Sequence, residues 1–178
     1  MTNQRRVSRH LRHVWILIAF GATVIGCGPP IRVYSYWGPG TRFSETTRTY
    51  DWAPDAQQTS GEGRPKNPRI DELIRQAVEK HLALKGYEKA LQTKPDFWID
   101  YRVAREVRGN MYGGPGFTEF AEGSLALYVV NPANSKLIWR GIVRAALDDA
   151  APPDKRVEIL DRAVKKVLDQ VPSRPTKK

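Results

Sequence analysis

From Phe97 to Val103 the side chains alternate. Phe97, Ile99, Tyr101 and Val103 fall on one side, and Trp98, Asp100 and Arg102 on the other. Successive residues of a strand point to opposite faces, so this run has one face for a core and one for water or a partner. Such a strand needs an apolar layer elsewhere in the chain to cover it. Two more strand runs follow, Ser124–Asn131 and Leu137–Leu147. The five residues Pro132-Ala133-Asn134-Ser135-Lys136 join them as a hairpin. Residues 109–116 (GNMYGGPG) read as a flexible connection between the first strand and the second.

The covering layer is legible on both sides of these strands. Asn67 is a good N-cap, Pro68 suits the first helical position, and Asp71 and Glu72 put negative charge in the first turn. Ile70, Leu73, Ile74, Ala77, Val78 and Leu82 recur at three- and four-residue spacing, and Gly86 ends the helix. A second helix starts near Asp154, with Val157, Leu160, Val164, Val167, Leu168 and Val171 on one face and Pro172 as its stop. Upstream, Ile31–Trp37 and Thr46–Trp52 read as strands, and residues 55–66 as a polar surface loop. The expected fold is α+β: a mainly antiparallel sheet of about five strands with two amphipathic helices on one face, in the order ββαβββα. One domain over residues 31–172 accounts for it, with 173–178 a disordered tail.

The chain before residue 31 is of another kind. Arg5, Arg6, Arg9 and Arg12 precede an uncharged run from Val14 to Gly26, and no acidic residue appears before Glu45. A basic head and a short apolar stretch make a secretory signal peptide, here 1–26. Val24-Ile25-Gly26-Cys27 resembles the bacterial lipobox. That resemblance implies diacylglycerol on the Cys27 thiol, cleavage before it and acylation of the new amino terminus, leaving 27–30 as a lipidated tether. Three acyl chains suffice for a stable membrane anchor. Cleavage would change the charge: the whole chain carries +10, but 25 Lys+Arg against 19 Asp+Glu leave +6 afterwards. That balance suits anionic lipid headgroups or wall polymers; nucleic acid is not an expected partner of an exported protein.

Phe43-Ser44, Thr49-Tyr50-Asp51-Trp52, Asn67-Pro68-Arg69-Ile70, Gly86-Tyr87, Pro95-Asp96-Phe97 and Leu137-Ile138-Trp139-Arg140-Gly141, in that order after a lipobox, resemble the bacterial lipoprotein family of domain of unknown function 4136. The resemblance covers residues 31–172 and implies a fold and an envelope location, but no reaction. With Gly28 after the cysteine, where the inner-membrane retention signal resembles Asp, the expected location in a Gram-negative source is the outer membrane, facing the periplasm.

The inventory for catalysis is thin. A single cysteine excludes a disulfide framework or a Cys-rich zinc module. His81 is the only histidine after residue 26, on the apolar seam of a helix, and reads as a structural residue. Asp148-Asp149 reads as a strand-end turn, and no phosphate-cradling glycine motif is present. No metal and no cofactor are expected. The candidate binding surface is the sheet face away from the helices, with Trp98, Asp100, Arg102, Tyr128, Arg140 and Arg144. Aromatics beside arginines hold an anionic or sugar-like ligand or a protein partner; the same residues also serve simply as cross-strand pairs. The glycine- and aromatic-rich stretch Met111–Phe120 is a second candidate contact surface. Two functions are expected from these features: a lipid-anchored binding module of the envelope, not an enzyme, or alternatively an envelope hydrolase or transferase with a carboxylate site near Asp100.

Overall fold

The structure is a computed structural model and describes residues 30–54, 63, 65, 67–91, 93–109 and 119–174. Its elements are β1 (Ile31–Trp37), β2 (Thr49–Trp52), α1 (Pro68–Leu84), β3 (Glu88–Lys89), β4 (Phe97–Gly109), β5 (Glu119–Val130), β6 (Leu137–Leu147) and α2 (Pro153–Leu168). The class is α+β. The sheet is mixed and has six strands in the order β1-β6-β5-β4-β2-β3.

Three features of the sheet differ from the sequence expectation. β2 runs parallel to both β3 and β4, because α1 lies between β2 and these strands and returns the chain to the same end of the sheet. β3, only two residues long, is added at that edge. The antiparallel part, β1-β6-β5-β4, follows the hairpin reading. The β4–β5 hairpin is longer than its hydrophobic alternation suggested. Backbone pairing continues to Gly109 and Glu119, past the last row the helices cover.

Local chemistry sets the helix limits. Asn67 Oδ1 accepts from Arg69 N–H at 3.0 Å and Pro68 occupies the first turn of α1. At the other end Gly86 (φ +84) donates to the Ala83 carbonyl, and Tyr87 N–H reaches back to Leu82. This is a Schellman closure, and it brings the buried Tyr87 ring towards the buried Leu82. α2 has no side-chain cap; Pro152 and Pro153 set its start instead.

Both helices lie on one sheet face. Ile74, Val78 and Leu82 of α1 and Val164, Val167 and Leu168 of α2 share a core with Phe97, Ile99, Tyr101, Leu127, Val129 and Trp139. Ile70 and Val157, expected in the apolar stripes, are 44% and 38% exposed. Each belongs to the N-terminal part of its helix, where the layer thins. Leu137 is half-buried although it lies two residues from the buried Trp139, because a bulge at Val129/Val130 pairs Val130 with Leu137 and leaves Ile138 over.

At the β2 end, Phe97 packs on Phe43, Tyr87 and Tyr50 with ring centroids 5.3, 5.6 and 5.9 Å apart. Asp96 Oδ2 accepts from Arg48 N–H at 2.7 Å and Thr49 N–H at 2.8 Å, fixing the start of β2. Several of the motif residues that carry the family resemblance therefore meet in one structural knot.

Candidate functional site

Phe97, Ile99 and Tyr101 of β4 enter the core, so the even residues of the strand lie on the far face. Strand register places that face in rows. Asp100, Tyr128, Arg140 and Tyr36 form one row; Arg102, Ala126, Ile142 and Tyr34 the next; Ala104, Ser124, Arg144 and Arg32 the third. The six residues predicted from sequence all belong to this face, but they divide into two groups.

The first group is on β4. Arg102 Nη2 lies 3.5 Å from Asp100 Oδ2, with the side chains 15% and 5% exposed. Charge is balanced across that distance, yet neither terminal nitrogen of Arg102 has a hydrogen-bond partner among the described residues. Gly63 explains the posture of this arginine. Its carbonyl accepts from Val103 N–H, and a Cβ at Gly63 would sit 3.0 Å from Arg102 Cδ. The glycine backbone thus presses along the Arg102 stem. Asp100, expected on an accessible face, is only 4% exposed. Trp98 is half-buried one row beyond Asp100, opposite Asp51 and Val130, and so stands apart from the β6 arginines.

The second group spans β5, β6 and β1, and starts with the half-buried Tyr128, the register partner of Arg140. Arg140 and Arg144 are half-buried, Arg32 is exposed, and Tyr34 and Tyr36 beside them are 54% and 48% exposed. Arg32 and Arg144 are direct register partners, and like charges opposite each other destabilise an antiparallel pair. Arg144 Nε is buried with no hydrogen-bond partner among the described residues. Among the described residues no carboxylate pairs with Arg32, Arg140 or Arg144. Planar guanidinium forks beside tyrosine rings are suited to phosphate, carboxylate or sugar groups. Arg32, Tyr34 and Tyr36 escape sequence reasoning because nothing in the chain says that β1 lies beside β6. The alternation of Arg32, Tyr34 and Tyr36 is the one signal that could have found them.

Other titratable groups act structurally. His81 is buried, with Nε2 3.1 Å from Asp161 Oδ1, and Lys80 Nζ lies 2.9 Å from the same oxygen. Burial pulls the Asp161 carboxyl up, but Lys80 and His81 outweigh it and hold it below its ordinary value. Burial first, then the Glu79 and Asp51 charges, push the Tyr50 hydroxyl up to about 12. Asp149 pairs with Arg105, and Asp148 accepts from Ala150 N–H, which closes the strand-end turn. Among the described residues no three His, Cys, Asp or Glu converge as a metal site would require. Residues 1–29 with Cys27, residues 111–118 of the aromatic stretch, 55–62 of the polar loop and 175–178 of the tail lie outside the described residues.

A family profile described as domain of unknown function (DUF4136) matches residues 31–173. No curated protein matches the chain. Among solved structures, the PelC dodecamer from Paraburkholderia phytofirmans is similar with a TM-score of 0.54 at 11% identity. The match covers 82% of this chain and 100% of that one. A PDZ domain protein from Parabacteroides distasonis gives 0.55 at 12% identity, covering 84% of this chain and 38% of that one. At such identities the likeness is one of fold.

Proposed function

The chain belongs to the DUF4136 family, and from that premise we propose that it is a lipid-anchored binding module of the cell envelope. Its sheet face would engage an anionic envelope component through Arg140, Arg144 and Arg32, with Tyr128, Tyr34 and Tyr36 supplying ring surface. The observation that carries this reading is the Arg32–Arg144 pair. Two like charges are direct register partners, with a buried Arg144 Nε left unbonded among the described residues, and an anion would relieve both defects. The anchor rests on the sequence: a basic head, an apolar run and Cys27 directly after Gly26. In a Gram-negative source the module would face the periplasm from the outer membrane.

The test is sedimentation of a Pro30–Lys178 fragment with phosphatidylglycerol or phosphatidylcholine vesicles, and with an acidic wall polymer, at low and high salt. Binding should favour the anionic surfaces, fall with salt, and drop in Arg140→Ala and Arg144→Ala. Equal binding by both variants would remove the arginine face from the account.

The alternative reading, a hydrolase or transferase acting through Asp100, has weaker support, because that carboxylate is buried against Arg102. Self-assembly has a specific observation in its favour. β1 is an edge strand with two exposed tyrosines, and open edges recruit further strands; the similarly folded PelC is a dodecamer. Light scattering that finds only monomer would exclude assembly.

A further inference from the structure

On the opposite side of the sheet, the two helices leave one end uncovered. There the β4–β5 hairpin overhangs them, and a cavity of about 370 Å³ opens between the N-terminal turns of α1 and α2 and the sheet. Its walls are mostly apolar, with Ile74, Leu160 and Ala163 from the helices and Leu125, Val143 and Leu147 from the strands, and Ser124 the one polar residue besides two arginines. Gly123 forms part of the floor, where a Cβ would come within 2.9 Å of Leu147 Cδ2. Around the mouth Ile70, Leu147 and Val107 are 44%, 39% and 65% exposed, so the apolar surface continues outward from the cavity. Two arginines, Arg105 and Arg156, complete the lining. Arg105 already holds a carboxylate in two-point fashion, that of Asp149, with Nη1 3.0 Å from Oδ1. Arg156 is exposed and has no carboxylate bonded to it among the described residues.

An apolar slot of this size, with Arg156 in its lining and no carboxylate bonded to that arginine among the described residues, suits an unbranched hydrocarbon chain ending in an anion. At roughly 30 Å³ for a water-sized group, the volume accommodates on the order of a dozen methylenes. We propose that this cavity binds the acyl chain of a fatty-acid-type amphiphile, with its carboxylate on Arg156, while Arg105 stays paired with Asp149. The site is separate from the arginine face on the other side of the sheet, and neither proposal depends on the other.

The test uses the full chain in its own membranes and a dodecanoic acid carrying a photoreactive diazirine near its methyl end. Labelled peptides are then mapped by mass spectrometry. The expected label falls on Ile159–Ala163 or Val143–Leu147 and disappears under excess unlabelled dodecanoate. Arg156→Glu, at an exposed position, should weaken competition by dodecanoate about tenfold, the scale of one charge-assisted hydrogen bond, while leaving competition by dodecanol unchanged. Ala163→Leu fills the slot and should abolish the label. Label only within residues 14–26, label that excess dodecanoate does not suppress, or cavity label indifferent to both variants overturns the proposal. So does an unlabelled cavity, the result expected if the chain's own stretch 110–118 fills it.

Discussion

Gly141→Ala tests how closely the helix layer sits on the sheet. Gly141 lies in β6 beneath α2. An added Cβ would be 2.3 Å from Trp139 Cη2, 2.5 Å from Trp139 Cζ2 and 2.5 Å from Val167 Cγ2. Trp139 and Val167 are both fully buried, so neither can swing into solvent. Overpacking of this kind costs about 1–3 kcal/mol, and two immobile neighbours place it at the upper end. The backbone here is not left-handed, so restricting the unfolded chain returns about 0.4–1 kcal/mol. The net expectation is a loss of about 2 kcal/mol, or roughly 4–8 °C in Tm for a domain of this length. Urea unfolding of the Pro30–Lys178 fragment, expected to be soluble and to unfold in one transition, gives the value. Cη2 and Cζ2 belong to the benzo ring of the indole, so Trp139→Phe vacates part of the space that the new methyl needs. The double variant should therefore be more stable than additivity predicts by about 1 kcal/mol or more. A neutral Gly141→Ala, or a strictly additive cycle, would refute the packing argument.

The acid response should come from structural carboxylates. Burial raises the Asp96 carboxyl, but backbone hydrogen bonds from Thr49 and Arg48 outweigh it and hold it below the usual range. A depressed carboxylate stabilises the fold above its unfolded pKa, and that contribution is lost as pH falls through the folded value. Stability should thus decline from about pH 5 downward. Asp96→Ala should cost about 1 kcal/mol at neutral pH after solvent screening, with the gap to wild type closing in acid; a gap that widens in acid contradicts the assignment. For the anchor, intact mass of the membrane-extracted protein should show residues 1–26 removed and acyl chains on Cys27. An unmodified Cys27 with the leader attached would contradict it.

Period-two and helical patterns were enough to locate the long elements, because Phe97–Val103 and the stripes through Ile74 and Val164 encode their own burial. What they could not give was neighbourhood. β2 is only four residues long and β3 two, and their parallel pairing depends on where α1 returns the chain. The overhang of β4 and β5 was hidden because backbone pairing needs no apolar alternation, and Arg105 in the inward series breaks the pattern. The same limit applied to the candidate site. Strand alternation puts Trp98, Arg102 and Arg140 on one face, but register alone shows that Arg144 faces Arg32 and that Trp98 lies apart from both. The burial of Asp100 depends on its Arg102 neighbour and on surroundings that one strand's sequence does not describe. The motifs behind the family resemblance report packing: Phe43, Tyr50, Tyr87 and Phe97 form one aromatic knot.

The central claim is that the arginine–tyrosine face meets the partner. Ala126 sits in its middle row, between Arg102 and Ile142, while Leu84, 74% exposed, ends α1 on the helix side. A photoreactive amino acid placed at either position in the full chain, irradiated in intact cells, reads which face is in contact. Position 126 should give a discrete crosslinked species that disappears when Arg140 and Arg144 are both changed to Ala, and position 84 should give none. Crosslinks from position 84 alone, or a species from 126 that survives loss of both arginines, would contradict the account.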